Sequence, residues 1–255
     1  MKITILGCGG SGGVPLIGNE WGACDPKEPR NKRTCVSILV EEGDQTLLVD
    51  TSPDMREQLL QANVRDITAI LYTHAHADHC HGIDNIRSLN WLTQRPVPIY
   101  ADAATMADLE HRFEYIFVTR PHADRFTRPN VETHILDGHA FTLGSIKVTS
   151  FPQEHGAMIS MGYRFGDFAY STDAGALDEA AFEALRGVKV WVLGAIRHEP
   201  HPAHAHVERA LEWIARVKPE RAYLTHMNQT LDYATLKASL PAHIEPAYDG
   251  LVIKL

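Results

Sequence analysis

The sequence predicts an α/β protein built as a four-layer αββα sandwich, two stacked sheets with helices outside. Two observations predict it: short apolar runs follow one another early in the chain, and later runs alternate with 3.6-residue repeats. Strands are expected at 2–6, 36–40 and 46–49, then at 69–72, 97–100, 131–136 and 146–151. Further strands are expected at 158–165, 168–171, 188–193 and 221–224. Helical repeats fit 54–62, 103–113, 178–185 and 204–217, the last placing Val207, Ala210, Leu211 and Ile214 on one face. No long linker or low-complexity tract divides the 255 residues, so one domain spanning 1–255 is the economical organisation.

The run Thr73-His74-Ala75-His76-Ala77-Asp78-His79 carries the most chemical information. It follows the apolar stretch Ala69-Ile70-Leu71-Tyr72, so a strand is expected to run into a loop that presents three imidazoles and a carboxylate. Imidazole and carboxylate donors suit a catalytic divalent ion better than a thiolate-bound structural one. Three more donors stand where apolar runs end: His155 after 146–151, Asp173 after 168–172, and His226 after 221–225. Taken singly, a His or Asp after a strand is usually a cap or rim residue. Together they bring the donors to seven, enough for two metals and too many for one tetrahedral site.

With these residues in view, the chain resembles the metallo-β-lactamase fold superfamily, whose HxHxDH motif is matched by His74, His76, Asp78 and His79. The superfamily's later His, Asp and His are matched by His155, Asp173 and His226. The resemblance implies one metal on His74, His76 and His155, a second on Asp78, His79 and His226, and Asp173 bridging both. It also implies the four-layer sandwich. Three features point to the PhnP and tRNase Z phosphodiesterase branch, with PhnP-like proteins the closer match. They are the opening 6–15, rich in glycine, the strand end Ser171-Thr172-Asp173, and Leu224-Thr225-His226. PhnP-type chains carry a cysteine cluster and a late His for an added structural zinc. Here that region has the single Cys24, and Gln229 stands at the late position, so no structural zinc is expected.

The stretch Gly7-Cys8-Gly9-Gly10-Ser11-Gly12 formally matches a dinucleotide fingerprint, but Gly13-Val14-Pro15 cannot start the helix that such a site needs. It reads either as a plain turn or as a loop that brings backbone N–H groups 9–13 towards a substrate phosphate at the metal cleft. A second histidine cluster spans 198–206, and most of its members are expected to contribute only solubility or rim contacts. His204 lies 22 residues before His226, the spacing of the catalytic His in the PhnP and tRNase Z branch. We assign it as general acid with His206 as reserve, and Asp78 as a ligand that also orients the attacking water. Asp50, at a strand end before Thr51-Ser52, is either a hydrogen-bond acceptor for a ligand His or a helix cap.

The reaction expected is phosphodiester hydrolysis of a small cyclic ribose phosphate or mononucleotide-like substrate, with two divalent ions, zinc or manganese, as cofactors. The net charge of −8 disfavours extensive contact with nucleic acid. So does the short separation of His155 and Asp173, 18 positions apart where the tRNA-processing branch carries its RNA-gripping insertion. Homodimerisation is compatible with the sequence. Neither a signal peptide nor a transmembrane span is evident, and Cys8, Cys24, Cys35 and Cys80 form no CxxC pair, so a cytoplasmic protein with free thiols is expected. A thioester or lactam hydrolase, a tRNA 3′-processing enzyme, a mononuclear-iron dioxygenase and a non-catalytic metal sensor are the competing readings.

Overall fold

The computed structural model describes residues 1–118, 127–138 and 140–255. Its strands are β1 Lys2–Gly7, β2 Ser37–Glu42, β3 Gln45–Val49, β4 Ala69–Leu71, β5 Val97–Asp102, β6 Val131–Leu136 and β7 Phe141–Leu143. They continue as β8 Ile146–His155, β9 Met158–Phe165, β10 Phe168–Ser171, β11 Val190–Gly194, β12 Arg221–Thr225, β13 Ile244–Pro246 and β14 Val252–Lys254. The helices are α1 Met55–Gln61, α2 Ala77–Cys80, α3 Ile86–Thr93, α4 Ala103–Arg112, α5 Glu114–Phe117, α6 Glu179–Ala184, α7 Val207–Val217 and α8 Tyr233–Ser239.

One sheet runs β14-β1-β2-β3-β4-β5-β6 and the other β13-β12-β11-β10-β9-β8-β7. Each is mixed. In the first, β1 to β3 pair antiparallel and β3 to β6 parallel; in the second, β7 to β10 pair antiparallel and β10 to β13 parallel. Parallel strands covered on both faces need apolar side chains on both, which is why they read as unbroken apolar runs. Along β3, Leu47 and Val49 enter the core between the sheets while Leu48 packs towards α1, α3 and α4. Ala69 and Leu71 of β4 face inward in the same way, with Ile70 outward. On the far side, Ala210 and Ile214 of α7 close over the second sheet, completing the predicted four layers.

Several elements depart from the expected limits. The strand expected at 146–151 continues to His155, because Gln153, Glu154 and His155 keep pairing with Ser160, Ile159 and Met158 after the apolar pattern has ended. The helix expected from 204 starts at Val207, with His206 extended in front of it. The stretch after β4 is not an open loop: α2 makes one turn, with Cys80 N–H bonded to His76 O. Strands β7, β13 and β14 have three residues each, too short for a period-2 signal, and helices α3 and α8 were also unexpected.

Candidate metal centre

All seven predicted donors converge where strand ends of the two sheets meet. The segment after β4 brings His74 and His76, and α2 brings Asp78 and His79. His155 is the last residue of β8, Asp173 follows β10 and His226 follows β12. Hydrogen bonds lock the two sheets together at this point: Tyr163 O–H donates to Tyr72 O (2.6 Å) and Met161 N–H to Thr73 O (2.8 Å). Asp50, Asp173 and His226 adopt left-handed backbone conformations, with φ of 63°, 53° and 56°. Such conformations cost a non-glycine residue about 1–3 kcal/mol, so neighbours must enforce them. At His226 they do so through the next peptide, where Met227 N–H donates to Cys8 O (2.9 Å) and Met227 O accepts Gly10 N–H (3.2 Å).

The donor atoms fall into two triplets joined by Asp173. His76 Nδ1 lies 2.9 Å from His74 Nε2 and 3.2 Å from His155 Nε2. Three nitrogens on a tetrahedral ion with bonds of 2.0–2.1 Å sit about 3.4 Å apart, so this triplet is close to ligand spacing. In the second triplet, Asp78 Oδ2 is 3.3 Å from His79 Nε2 and 3.5 Å from His226 Nε2. Asp173 reaches both: Oδ1 is 3.7 Å from His155 Nε2 and 3.3 Å from His226 Nε2, and Oδ2 is 3.2 Å from His79 Nε2. The buried His79 Nε2 and both ring nitrogens of His226 have no hydrogen-bond partner. Buried polar atoms are normally satisfied, so this convergence fits a cation.

The electrostatics point the same way. Burial and the neighbouring His79 lower the pKa of His74, and burial lowers that of His76, keeping both as the neutral imidazoles that a metal requires. At His79 burial opposes a charge, yet Asp173, Asp50 and Asp78 hold its pKa well above the usual imidazole range. The three carboxylates thus call for positive charge in the centre. The arrangement is one that could hold a divalent metal.

Asp50 is the hydrogen-bond acceptor for His79, and the N-cap position of the following helix is held by Asp54. Its Oδ2 sits 2.7 Å from His79 Nδ1 and accepts Thr73 O–H, while Oδ1 accepts Thr73 N–H, both at 2.7 Å. This fixes the His79 tautomer with Nε2 turned to the centre. His155 is oriented likewise, its Nδ1–H donating to Ala203 O (2.7 Å). Thr73 and the Ala203 carbonyl were not foreseen, one being the unremarkable first residue of the motif and the other main chain. Asp50→Ala is expected to weaken metal binding by about 10–100-fold, the usual cost of an outer-shell partner. Unchanged affinity in a competition titration against a chelator would refute this role.

His204, not His206, reaches the site. Its Nδ1 is 3.4 Å from Asp173 Oδ1, and its ring stacks on His226 with centroids 4.9 Å apart. His206 instead begins α7, its carbonyl accepting Ala210 N–H. Burial, with help from His226, His155 and His201, pushes the His204 pKa down to about 3 despite Asp173. The ring is therefore neutral at pH 7 even beside this carboxylate. The segment carrying it is seated tightly: a Cβ on Gly175 would lie 3.0 Å from the Ala203 carbonyl carbon, so a side chain there would push the segment back by a few tenths of an ångström.

The opening rich in glycine is mainly a brace. Gly9, Gly10 and Gly13 N–H groups donate to Thr34 O, Met227 O and Gly10 O, leaving Ser11 and Gly12 at the exposed tip. The expected phosphate contact is thus confined to that tip. At Gly7 a Cβ would fall 2.1 Å from Cys35 O. Around Cys24, the buried Arg33 guanidinium donates to Leu231 O (2.6 Å), Asn228 O (3.1 Å) and Asn31 Oδ1 (3.1 Å), tying segment 24–33 to segment 228–232. All four cysteines are buried free thiols, and Cys80 packs as a small apolar residue beside the motif.

Residues 45–227 match the family described as beta-lactamase superfamily domain. A crystal structure of a diphosphatase from the PhnP family superposes with a TM-score of 0.91 at 36% identity, covering 100% of this chain and 97% of that one. The octanoyltransferase of Porphyromonas gingivalis is 29% identical over 257 residues, 98% of this chain; the chain spans 51% of that protein's length. Coenzyme PQQ synthesis protein B of Cupriavidus necator is 26% identical over 313 residues, covering 100% of this chain and 99% of that protein. The chain belongs to the metallo-β-lactamase fold superfamily of metal-dependent hydrolases and, within it, to the PhnP family.

Proposed function

We propose that this protein is a two-metal phosphohydrolase that cleaves a phosphodiester of a small substrate, of the cyclic ribose phosphate or cyclic nucleotide type. The observation that carries this reading is the pair of donor triplets sharing Asp173, with His204 beside the shared carboxylate. His74, His76 and His155 would hold one ion, Asp78, His79 and His226 the other, and Asp173 both. When bound, two divalent ions, zinc or manganese, activate water at neutral pH and neutralise the nonbridging phosphate oxygens. Asp78 orients the attacking water. His204 gains a proton when a phosphate enters beside it and delivers that proton to the leaving alkoxide, which is too basic to depart unprotonated.

A second reading has a specific observation behind it. The PhnP-family structure that is 36% identical to this chain is a diphosphatase, so a diphosphate linkage of a small molecule is the alternative scissile bond. Its leaving group is a phosphate and needs no proton. Transfer-RNA processing is less favoured: β9 and β10 are joined by the tight turn 166–167, which leaves no room for an RNA-gripping arm between His155 and Asp173. Among the described residues no helix is long and apolar enough to cross a membrane.

The test is a turnover screen over cyclic ribose phosphates, cyclic nucleotides, nucleoside diphosphate compounds and p-nitrophenyl esters, paired with elemental analysis. Two metals per chain and turnover of a small phosphodiester or diphosphate are expected. Absence of any rate in any metal would favour the sensor reading. Chelation should abolish turnover and also lower the melting temperature. Ligand at a hundred times its Kd stabilises the fold by about 2.7 kcal/mol, or roughly 5–10 °C in a chain of this size. A melting temperature indifferent to chelator would argue against metal at this site.

A further inference from the structure

We propose that His201 forms an anion subsite beside the metal centre, donating Nε2–H to a second phosphate of the substrate. This deepens the phosphohydrolase reading and rests on it. His201 belongs to the histidine cluster expected to give rim contacts only, and neither metal binding nor proton transfer uses it. The main chain gives it a defined orientation. Ala203 N–H donates to His201 Nδ1 (3.1 Å), while the carbonyl of the same residue accepts Nδ1–H of His155 (2.7 Å). A ring nitrogen that accepts a backbone N–H carries no proton, so the His201 proton resides on Nε2. The result is a neutral imidazole that always presents one N–H donor.

Its position is one ring beyond the reaction site. The His201 and His204 centroids are 4.8 Å apart, with the rings tilted by 59°, and His204 Nδ1 is itself 3.4 Å from the bridging carboxylate of Asp173. Arg197 spans the base of the same strap, donating from Nε to Glu199 O (3.2 Å) and from Nη2 to Pro200 O (2.9 Å). It therefore sets the strap's shape and lays positive charge beside His201. An oriented neutral donor backed by a fixed cation suits a phosphate oxygen. The phosphate engaged there would be the one adjoining the group held over the metals, as in a diphosphate or a sugar bearing two phosphates. Because Ala203 also orients His155, the subsite is built in register with the ligand set.

The experiment measures binding of AMP and of ADP to the metal-loaded protein by calorimetry, in wild type, His201→Ala and His201→Gln. Wild type should bind ADP more tightly than AMP. His201→Ala should weaken ADP by roughly tenfold or more, the worth of one hydrogen bond to a charged group, and leave AMP within about twofold. His201→Gln, which restores an N–H at the position of Nε2, should recover most of the loss. Equal weakening of both nucleotides would mean that the substitution disturbs the strap as a whole, and no change in either would mean that the second phosphate lies elsewhere. Both outcomes overturn the proposal. If wild type turns over none of the phosphate substrates yet keeps its His201-dependent preference for ADP, the phosphohydrolase reading fails and the anion subsite stands.

Discussion

Asp173→Ala is expected to remove nearly all activity and to leave fewer than two metals per chain. One carboxylate serves both donor triplets, with Oδ1 among His155, His204 and His226 and Oδ2 beside His79. Its loss uncouples the triplets instead of trimming one of them. The effect should exceed the roughly 10–100-fold seen when an outer-shell partner is removed. The side chain is also the main counter-charge for His79 and His226, both of whose pKa values are raised with Asp173 as a cause. Elemental analysis and steady-state rates on the same preparation check this. Full activity with two metals per chain would show that the centre is wrongly assigned.

His204→Ala is expected to behave differently, because a proton donor is not a ligand. Metal content should stay at the wild-type level, while the rate on an alkyl phosphodiester falls by about 10²- to 10⁴-fold, the usual contribution of positioned proton transfer. A p-nitrophenyl ester or a diphosphate should suffer much less, since p-nitrophenolate and phosphate leave without a proton. The comparison also separates the two proposed bond types: if the physiological substrate is a diphosphate, its rate will track the p-nitrophenyl ester. Equal losses on every substrate would dismiss the acid and leave His204 as a binding residue. The neutral resting state of His204 makes the outcome informative, for burial keeps the ring unprotonated even with the Asp173 carboxylate beside it.

Much of this centre was legible because its chemistry is local in sequence. Four donors lie within residues 74–79, and the other three each end an apolar run, so a strand reading locates them without knowledge of the pairing. The sheets were legible for a related reason: strands buried on both faces leave apolar runs such as 36–40 and 69–72. What was not legible depends on backbone direction. The period of 3.6 extends back to His204, but the chain is extended through His206, and only that extension sends His204 to Asp173 while His206 starts the helix. His201 was passed over because its tautomer is set by a main-chain N–H two residues away, and composition carries no trace of that bond. Asp50 stayed ambiguous between cap and acceptor until its left-handed backbone turned the carboxylate back towards Thr73 and His79.

The left-handed backbone at Asp50, Asp173 and His226 also bears on transplanting this centre into another scaffold. A designer who copied the seven donors onto ordinary strand ends would reproduce the composition and miss the aim. At these three positions the chain must reverse its local hand just as the side chain leaves the strand, a turn that most scaffolds reserve for glycine. Asp and His are among the few residue types that tolerate the conformation while also offering a donor atom, as at Asp173 and His226, or an acceptor that orients one, as at Asp50. Chemistry and chain direction are thus encoded in the same three letters, and a graft would have to import the bracing peptides around Cys8, Gly10 and Met227 along with them.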